Sequence, residues 1–348
     1  MRETVTLNHV AREAGVSPST VSRVINGTAQ VAPEKHKAVL EAIQRLGYNH
    51  GVMNRSPFQE PSFTIGVVTQ EISSPFYGEI LKGIDQGLEG SPYHPIFASG
   101  QVRKPALRTP FARLLEKNVD AMIVLDGLVP ERELILLAKS MPIIVIGRRI
   151  KGMERHCLDI DHTQGAYIGT RHLIELGHSR IAHISGPLHN KAAHDRYQGY
   201  KKAIQEAGLQ LDLDLVVEGN FTEQSGVLAM DALFSKTRNF TAIIGANDQM
   251  TFGAKLALYR RGIRVPHDIS LVGFDDLPGC SYMTPPLTTV RFPTLEFGRE
   301  AARVILLMLK NRPYTLCQPA PRLLIRESTL WISTEAGRLS THPWPFSG

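Results

Sequence analysis

At 348 residues, with 43% hydrophobic residues, the chain is long enough for two or three soluble domains with sizeable cores. No apolar run approaches the roughly 20 residues that span a bilayer, and Cys157, Cys280 and Cys317 show neither metal-ligand nor disulfide-framework spacing. The net charge of +6 fits a nucleic-acid partner only weakly, because residues 1–60 hold seven Lys and Arg against five Asp and Glu.

The first residues carry Arg2, Glu3, Asn8, His9 and Arg12 where a signal peptide would need an apolar core, so a cytoplasmic location is expected. Leu7, Val10, Ala11 and Ala14 then recur at helical spacing. Gly15 makes a turn, Ser17 is a natural N-cap and Pro18 suits the first helical position, where a missing N–H costs nothing. A second short helix runs through Thr20, Val21, Val24 and Ile25 to Asn26 and Gly27. Two short helices joined by a tight turn satisfy a helix-turn-helix, with Ser19, Ser22 and Arg23 on the polar side. Any small helical hairpin shows the same spacing, so packing and DNA reading both stand at this point. Pro33 and Glu34 open a third helix bearing Val39, Leu40, Ile43 and Leu46, which ends near Tyr48. Residues 49–62 hold Gly51, Pro57 and Pro61 and read as a linker.

From Phe63 onward, apolar runs such as TIGVVTQ, DAMIVLD, PIIVIG, RIAHISG, FTAIIGAN and ISLVGFDD alternate with amphipathic segments. That alternation predicts parallel sheets covered by helices on both faces, and some ten strands predict two α/β subdomains. The last eight residues, THPWPFSG, read as a disordered tail.

Ligands of open α/β sheets bind beyond the carboxyl ends of strands. Asn247 and Asp275 follow two such strands, and Arg196 follows the loop after a third. A carboxylate, an amide and a guanidinium together suit the hydroxyls of a sugar. Phe76 and Phe221 are candidates to stack on the apolar face of a sugar or on a base ring. Asp248 reads as the N-cap of the helix that follows Asn247. No P-loop, G-x-S-x-G, H-E-x-x-H or G-x-G-x-x-G is present, so no enzyme activity and no cofactor are expected. His178 and His183 read as packing residues rather than catalysts.

The segment AGVSPSTVSRVIN (14–26) resembles the DNA-reading segment of the LacI/GalR family of bacterial transcription regulators. SPFYGEILKGI, LIELGHSRIAHISGP, AIIGANDQMTFGA and RGIRVPHDISLVGFDD extend the resemblance along nearly the whole chain. It implies a small all-α helix-turn-helix domain (1–49), a hinge (50–62) and an effector-binding and dimerisation domain of periplasmic-binding-protein type I fold (63–335). The N-subdomain is expected at about 63–159 plus 291–320, the C-subdomain at about 160–290 plus 321–335, and a tail at 336–348.

By the same resemblance, Pro18, Ser19 and Arg23 occupy the base-reading positions. Pro18 offers no hydrogen bond, so Arg23 is expected to carry the sharpest readout. Ser17, Thr20, Ser22, Asn26 and Arg55 complete the expected DNA contacts. Arg196 and Asp275 fall on effector-binding positions, joined by Phe76, Arg148, Phe221 and Asn247. Two departures stand out. Gly147 replaces the Asn or Asp that commonly precedes the arginine at Arg148, and Pro57 sits where a hinge-helix leucine is usual, predicting a short or absent hinge helix. The implied protein is a homodimeric repressor of a pseudo-palindromic double-stranded DNA operator, induced by a sugar, with no membrane partner. Purine or nucleoside corepression is the alternative, and a periplasmic-type sugar-binding protein a further one.

Overall fold

A computed structural model describes residues 6–26, 31–46, 61–99, 110–125 and 129–332. The expectations for Arg55, Pro57 and the rest of residues 49–60, and for the tail, lie outside the described residues, as does the side chain of Asn26.

Three helices come first: α1 (Leu7–Glu13), α2 (Pro18–Asn26) and α3 (Pro33–Leu46). Val10 and Ala11 of α1, Val21 and Val24 of α2, and Val39 and Ala42 of α3 close a small core of their own. Gly15, at φ +64°, supplies the left-handed residue that turns the chain between α1 and α2. Arg45 of α3 reaches Glu13 of α1 at 2.9 Å, an exposed pair worth at most about 1 kcal/mol. The apolar seam therefore sets this geometry.

The α/β body follows in chain order as β1 (Thr64–Thr69), α4 (Pro75–Leu88), β2 (His94–Ser99), α5 (Pro110–Glu116), β3 (Ala121–Leu125), α6 (Glu131–Leu137), β4 (Ile143–Ile146) and β5 (Cys157–Leu158). It continues as α7 (His162–Glu175), β6 (Ile181–Ser185), α8 (Lys191–Glu206), β7 (Val216–Glu218), α9 (Glu223–Lys236), β8 (Ala242–Gly245), α10 (Asp248–Tyr259) and β9 (Ser270–Asp275). The last elements are α11 (Gly279–Tyr282), β10 (Thr288–Arg291), α12 (Thr294–Leu309) and β11 (Arg322–Leu324). One sheet has the order β2-β1-β3-β4-β5 and the other β11-β10-β9-β8-β6-β7. Strands β3, β6, β8 and β9 are buried along their whole length, which is why they read as predominantly apolar runs.

Contacts divide the chain into two compact units. One comprises Met1–Ile72, Leu88–Ile144 and Val304–Tyr314, and the other Ser73–Gly87, Val145–Arg303 and Thr315–Gly348. Within the second unit the parallel order β7-β6-β8-β9-β10 changes winding direction between β6 and β8. The carboxyl ends of those two strands are therefore where a ligand crevice belongs.

Close helix crossings build the walls around that point. A Cβ on Gly253 of α10 would stand 1.9 Å from the Glu223 carbonyl oxygen, and one on Gly226 of α9 would stand 2.1 Å from that of Met250. Only glycine at both places lets the two backbones touch.

Strand β11 is the exception to parallel order, running antiparallel to β10. The chain then crosses back over the sheet as a strap. Leu271 donates its N–H to the Ser328 carbonyl at 2.8 Å, and the Ser328 hydroxyl donates to the Leu271 carbonyl at 2.6 Å. His178 fixes the next residues: its Nε2 lies 3.1 Å from the Leu330 carbonyl and 3.0 Å from Ser270 Oγ, and its Nδ1 2.8 Å from Thr241 Oγ1. Burial pushes the His178 ring down to about 4, so it is held neutral, with the proton on Nε2. Ile332 finally donates its N–H to the Leu176 carbonyl at 2.9 Å.

Candidate functional site

Arg196 is the centre of the polar cluster at this crevice. It lies in the second turn of α8, which begins at Lys191 and runs to Glu206. Asn190 caps the helix by accepting from the Ala193 N–H, so the polar residues before Tyr197 are helical too. Arg196 is 5% exposed, and each nitrogen of its guanidinium donates to a protein group. Its Nε donates to His162 Nδ1 at 3.2 Å, one Nη to the Ala246 carbonyl at the end of β8, and the other to Asp275 Oδ1 at 3.3 Å. Its carbon sits 3.8 Å from the centroid of the Phe274 ring, a cation–π contact worth about 2 kcal/mol when desolvated.

Asp275 ends β9 and is buried beside it. Burial pushes its carboxyl up from the usual carboxylate range, and the Arg196 charge opposes that rise. Its backbone is held at φ +116°, with Phe221 at +70° and Asp276 at +61°. Such conformations cost about 1–3 kcal/mol each in non-glycine residues, and they concentrate at binding sites.

Asn247, not Asp248, caps α10: its Oδ1 accepts from the Met250 N–H at 2.9 Å, while its Nδ2 donates to the Phe221 carbonyl at 2.9 Å. The sequence expectation of Asp248 as the cap is corrected here. Asp248 is turned inward, where it accepts from the Leu277 N–H at 2.8 Å and the Thr289 hydroxyl at 2.6 Å. A cap must accept from a free N–H of the first turn, and only Asn247 has the extended backbone that allows it.

The aromatic side of the site is assembled from neighbouring segments. The half-buried Phe221 ring fills the space above Gly186, where a Cβ would approach within 2.3 Å of it. Phe76, in the first turn of α4, meets Phe292 edge-on at 5.2 Å. Phe292 in turn stacks on His162, with centroids 6.0 Å apart and planes 20° apart. Arg148 follows β4 and is half-buried, and its positive charge acts against the burial-driven rise of the Cys157 thiol.

Of the expected effector residues, the structure thus joins Arg196 to Asp275 directly and Asn247 to Phe221 directly. Phe76 is linked to Arg196 through Phe292 and His162. Sequence reasoning missed His162, Phe274 and Phe292. The available signal was their position, His162 just after the two aspartates Asp159 and Asp161 that follow β5, and the two phenylalanines within or just beyond apolar strands.

The helix-turn-helix places its expected residues on one exposed helix. Ser17 Oγ accepts from the Thr20 N–H at 3.2 Å and lies 2.8 Å from Ser19 Oγ and 2.9 Å from Thr20 Oγ1. Pro18 opens α2, Ser22 is half-buried and Arg23 is exposed, while Val21 and Val24 face the core.

Comparison with known proteins bears on both regions. Residues 6–50 match the family described as bacterial regulatory proteins, lacI family, and residues 170–329 match the periplasmic binding protein-like domain. The HTH-type transcriptional regulator GalR of Escherichia coli (strain K12) is 35% identical over 339 residues, covering 97% of this chain and 99% of GalR. The chain belongs to the LacI family. Among solved structures, the complex of the transcriptional regulator CelR with cellobiose matches with TM-score 0.69 and 34% identity, covering 93% of this chain and 100% of that one. The lac repressor dimer bound to operator and the anti-inducer ONPF matches with TM-score 0.67 and 27% identity, over 94% of this chain and 100% of that one. LacI-family proteins are DNA-binding regulators that respond to small effectors, not enzymes. Among the described residues no group of His, Cys, Asp and Glu is placed to hold a metal ion, and no helix is long and apolar enough to cross a membrane.

Proposed function

We propose that this LacI-family protein is a cytoplasmic repressor that binds a pseudo-palindromic operator as a homodimer and is released from it by a sugar. The carrying observation is the buried Arg196–Asp275 pair at the point where the second sheet changes direction, flanked by Phe274 and by Asn247 with Phe221. A guanidinium and a carboxylate side by side offer donors and acceptors to vicinal hydroxyls, and neighbouring aromatic rings suit the C–H face of a sugar ring. The binding of cellobiose by CelR supports the same class of effector here. In this reading residues 63–335 form the effector and dimerisation domain, with Arg196 and Asp275 as anchors and Phe76, Arg148, Phe221 and Asn247 around them. Residues 1–49 read DNA through Ser17, Pro18, Ser19, Thr20, Ser22, Arg23 and Asn26, with Arg55 contributing from the hinge.

A thermal-shift panel of mono- and disaccharides, cellobiose among them, set against purine bases and nucleosides tests the effector class. A saccharide at a hundredfold excess over its Kd is expected to add about 2.7 kcal/mol of stability and to weaken operator binding. A panel in which only purines raise Tm would overturn the sugar reading.

The DNA side is tested at Arg23. Arg23→Ala is expected to cost about 1–3 kcal/mol of discrimination against altered operators, measured by competition between operator and mutated duplexes. Unchanged discrimination would move the specificity to another residue.

A further inference from the structure

We infer that His162 is a positioning residue for effector binding: as a neutral ring, its Nδ1 acceptor holds Arg196 in its binding orientation. This rests on the reading of Arg196 as an effector anchor. The Arg196 Nε–H can only donate, so His162 Nδ1, 3.2 Å away, must be the unprotonated nitrogen and the ring proton must sit on Nε2. Nε2 lies 3.1 Å from Asp159 Oδ1, poorly aligned for a hydrogen bond, with the histidine side chain 5% and the aspartate side chain 8% exposed. That carboxylate favours a proton on the far nitrogen and leaves the near one as acceptor. The ring plane is set by Phe292 stacking on it and by Phe274, 5.9 Å away at 33°. His162 therefore connects the guanidinium to the Phe292–Phe76 side of the site, and a movement of one is felt by the other.

The charges facing the ring are Arg196 and Asp195 on α8 and Asp159 just after β5, with Asp275 of β9 beyond Arg196. Burial lowers the His162 pKa, the Arg196 charge lowers it further, and Asp159 and Asp195 oppose. Protonation would place a second buried cation against the Arg196 Nε–H and remove its acceptor. The orientation of Arg196 is thus tied to the absence of one proton, and acid is expected to release it.

Two substitutions separate the acceptor from the ring. His162→Asn places an amide oxygen where Nδ1 stands and cannot titrate, whereas His162→Phe keeps the stacking surface and has no acceptor. The readout needs no effector: solvent exchange of the Arg196 Nε–H in full-length protein carrying ¹⁵Nε-arginine, its signal assigned by its loss in Arg196→Lys. At neutral pH the exchange is expected to be slow in wild type and in His162→Asn, and at least tenfold faster in His162→Phe. On acidification below the ordinary histidine range, beyond the intrinsic pH dependence of exchange, wild type is expected to lose protection while His162→Asn retains it. Equal protection in His162→Phe, or an unaltered wild-type profile in acid, overturns the inference. Cellobiose affinity across the same pH range should follow the same order of variants. If no saccharide binds, the sugar reading fails, and the exchange measurements still decide the role of His162.

Discussion

Arg196→Ala is expected to destabilise the protein by about 3–5 kcal/mol, the range for removing one partner of a buried ion pair. The loss is large because one side chain answers three buried groups at once. Without it the Ala246 carbonyl and His162 Nδ1 lose their donor, and the Asp275 carboxylate is left without its cation. The deficit should depend on pH in a definite direction. Burial already raises the Asp275 pKa in the folded protein, and removing the opposing Arg196 charge raises it more. Between the unfolded carboxylate range and that raised folded value the folded state binds the extra proton, so stability falls as pH rises. Urea unfolding at several pH values should therefore show Arg196→Ala weakest in alkali and partly recovered in acid. Arg196→Lys should recover part of the charge term but not the planar fork or the stack on Phe274. A loss below 1 kcal/mol at neutral pH would mean that the pair is solvated.

Asp248→Ala is the second large effect, expected at about 2–4 kcal/mol from buried donors left unsatisfied and a small cavity. The carboxylate is fully buried and takes both the Leu277 N–H and the Thr289 hydroxyl, tying the start of α10 to the turn after β9 and to β10. Gly273 lies directly under it, since a Cβ there would come within 2.1 Å of Asp248 Oδ1. Asp248→Asn keeps the shape, and the Thr289 hydroxyl is able to rotate and accept from the new amide, so its cost should be well under half that of alanine. Urea midpoints of the two variants check this. Equal losses would show that charge, not hydrogen bonding, holds the turn.

Much of this molecule is legible in its sequence, for identifiable reasons. The helix-turn-helix is written in local chemistry, Gly15 for the turn, Ser17 as cap and Pro18 at the helix start, and local chemistry survives folding. The central strands are legible because burial on both faces demands mostly apolar residues at successive positions. What escaped notice depends on partners far along the chain. Strand β7 and the antiparallel β11 are three residues each and carry no periodicity. Asn247 and Asp248 are adjacent acceptors with equal capping preference, and only the three-dimensional position of Thr289 and Leu277 decides which turns inward. His162 reads as an ordinary polar residue in a helix's first turn until α8 brings Arg196 to it from 34 positions away.

The strap that closes the second sheet has a consequence for how the protein is made. Residues 7–46 hold their own core and leave the ribosome before the α/β body, so this head is free to fold earlier in synthesis. The sheet carrying Arg196 and Asp275 waits for Ser328 and Leu330, which satisfy groups on β9 and on His178. A nascent chain halted before those residues would already own its reading head while its sensor lacked the segment that locks it. Translation thus delivers recognition before control, and the interval between them is set by the stretch of message that separates Leu46 from Ser328.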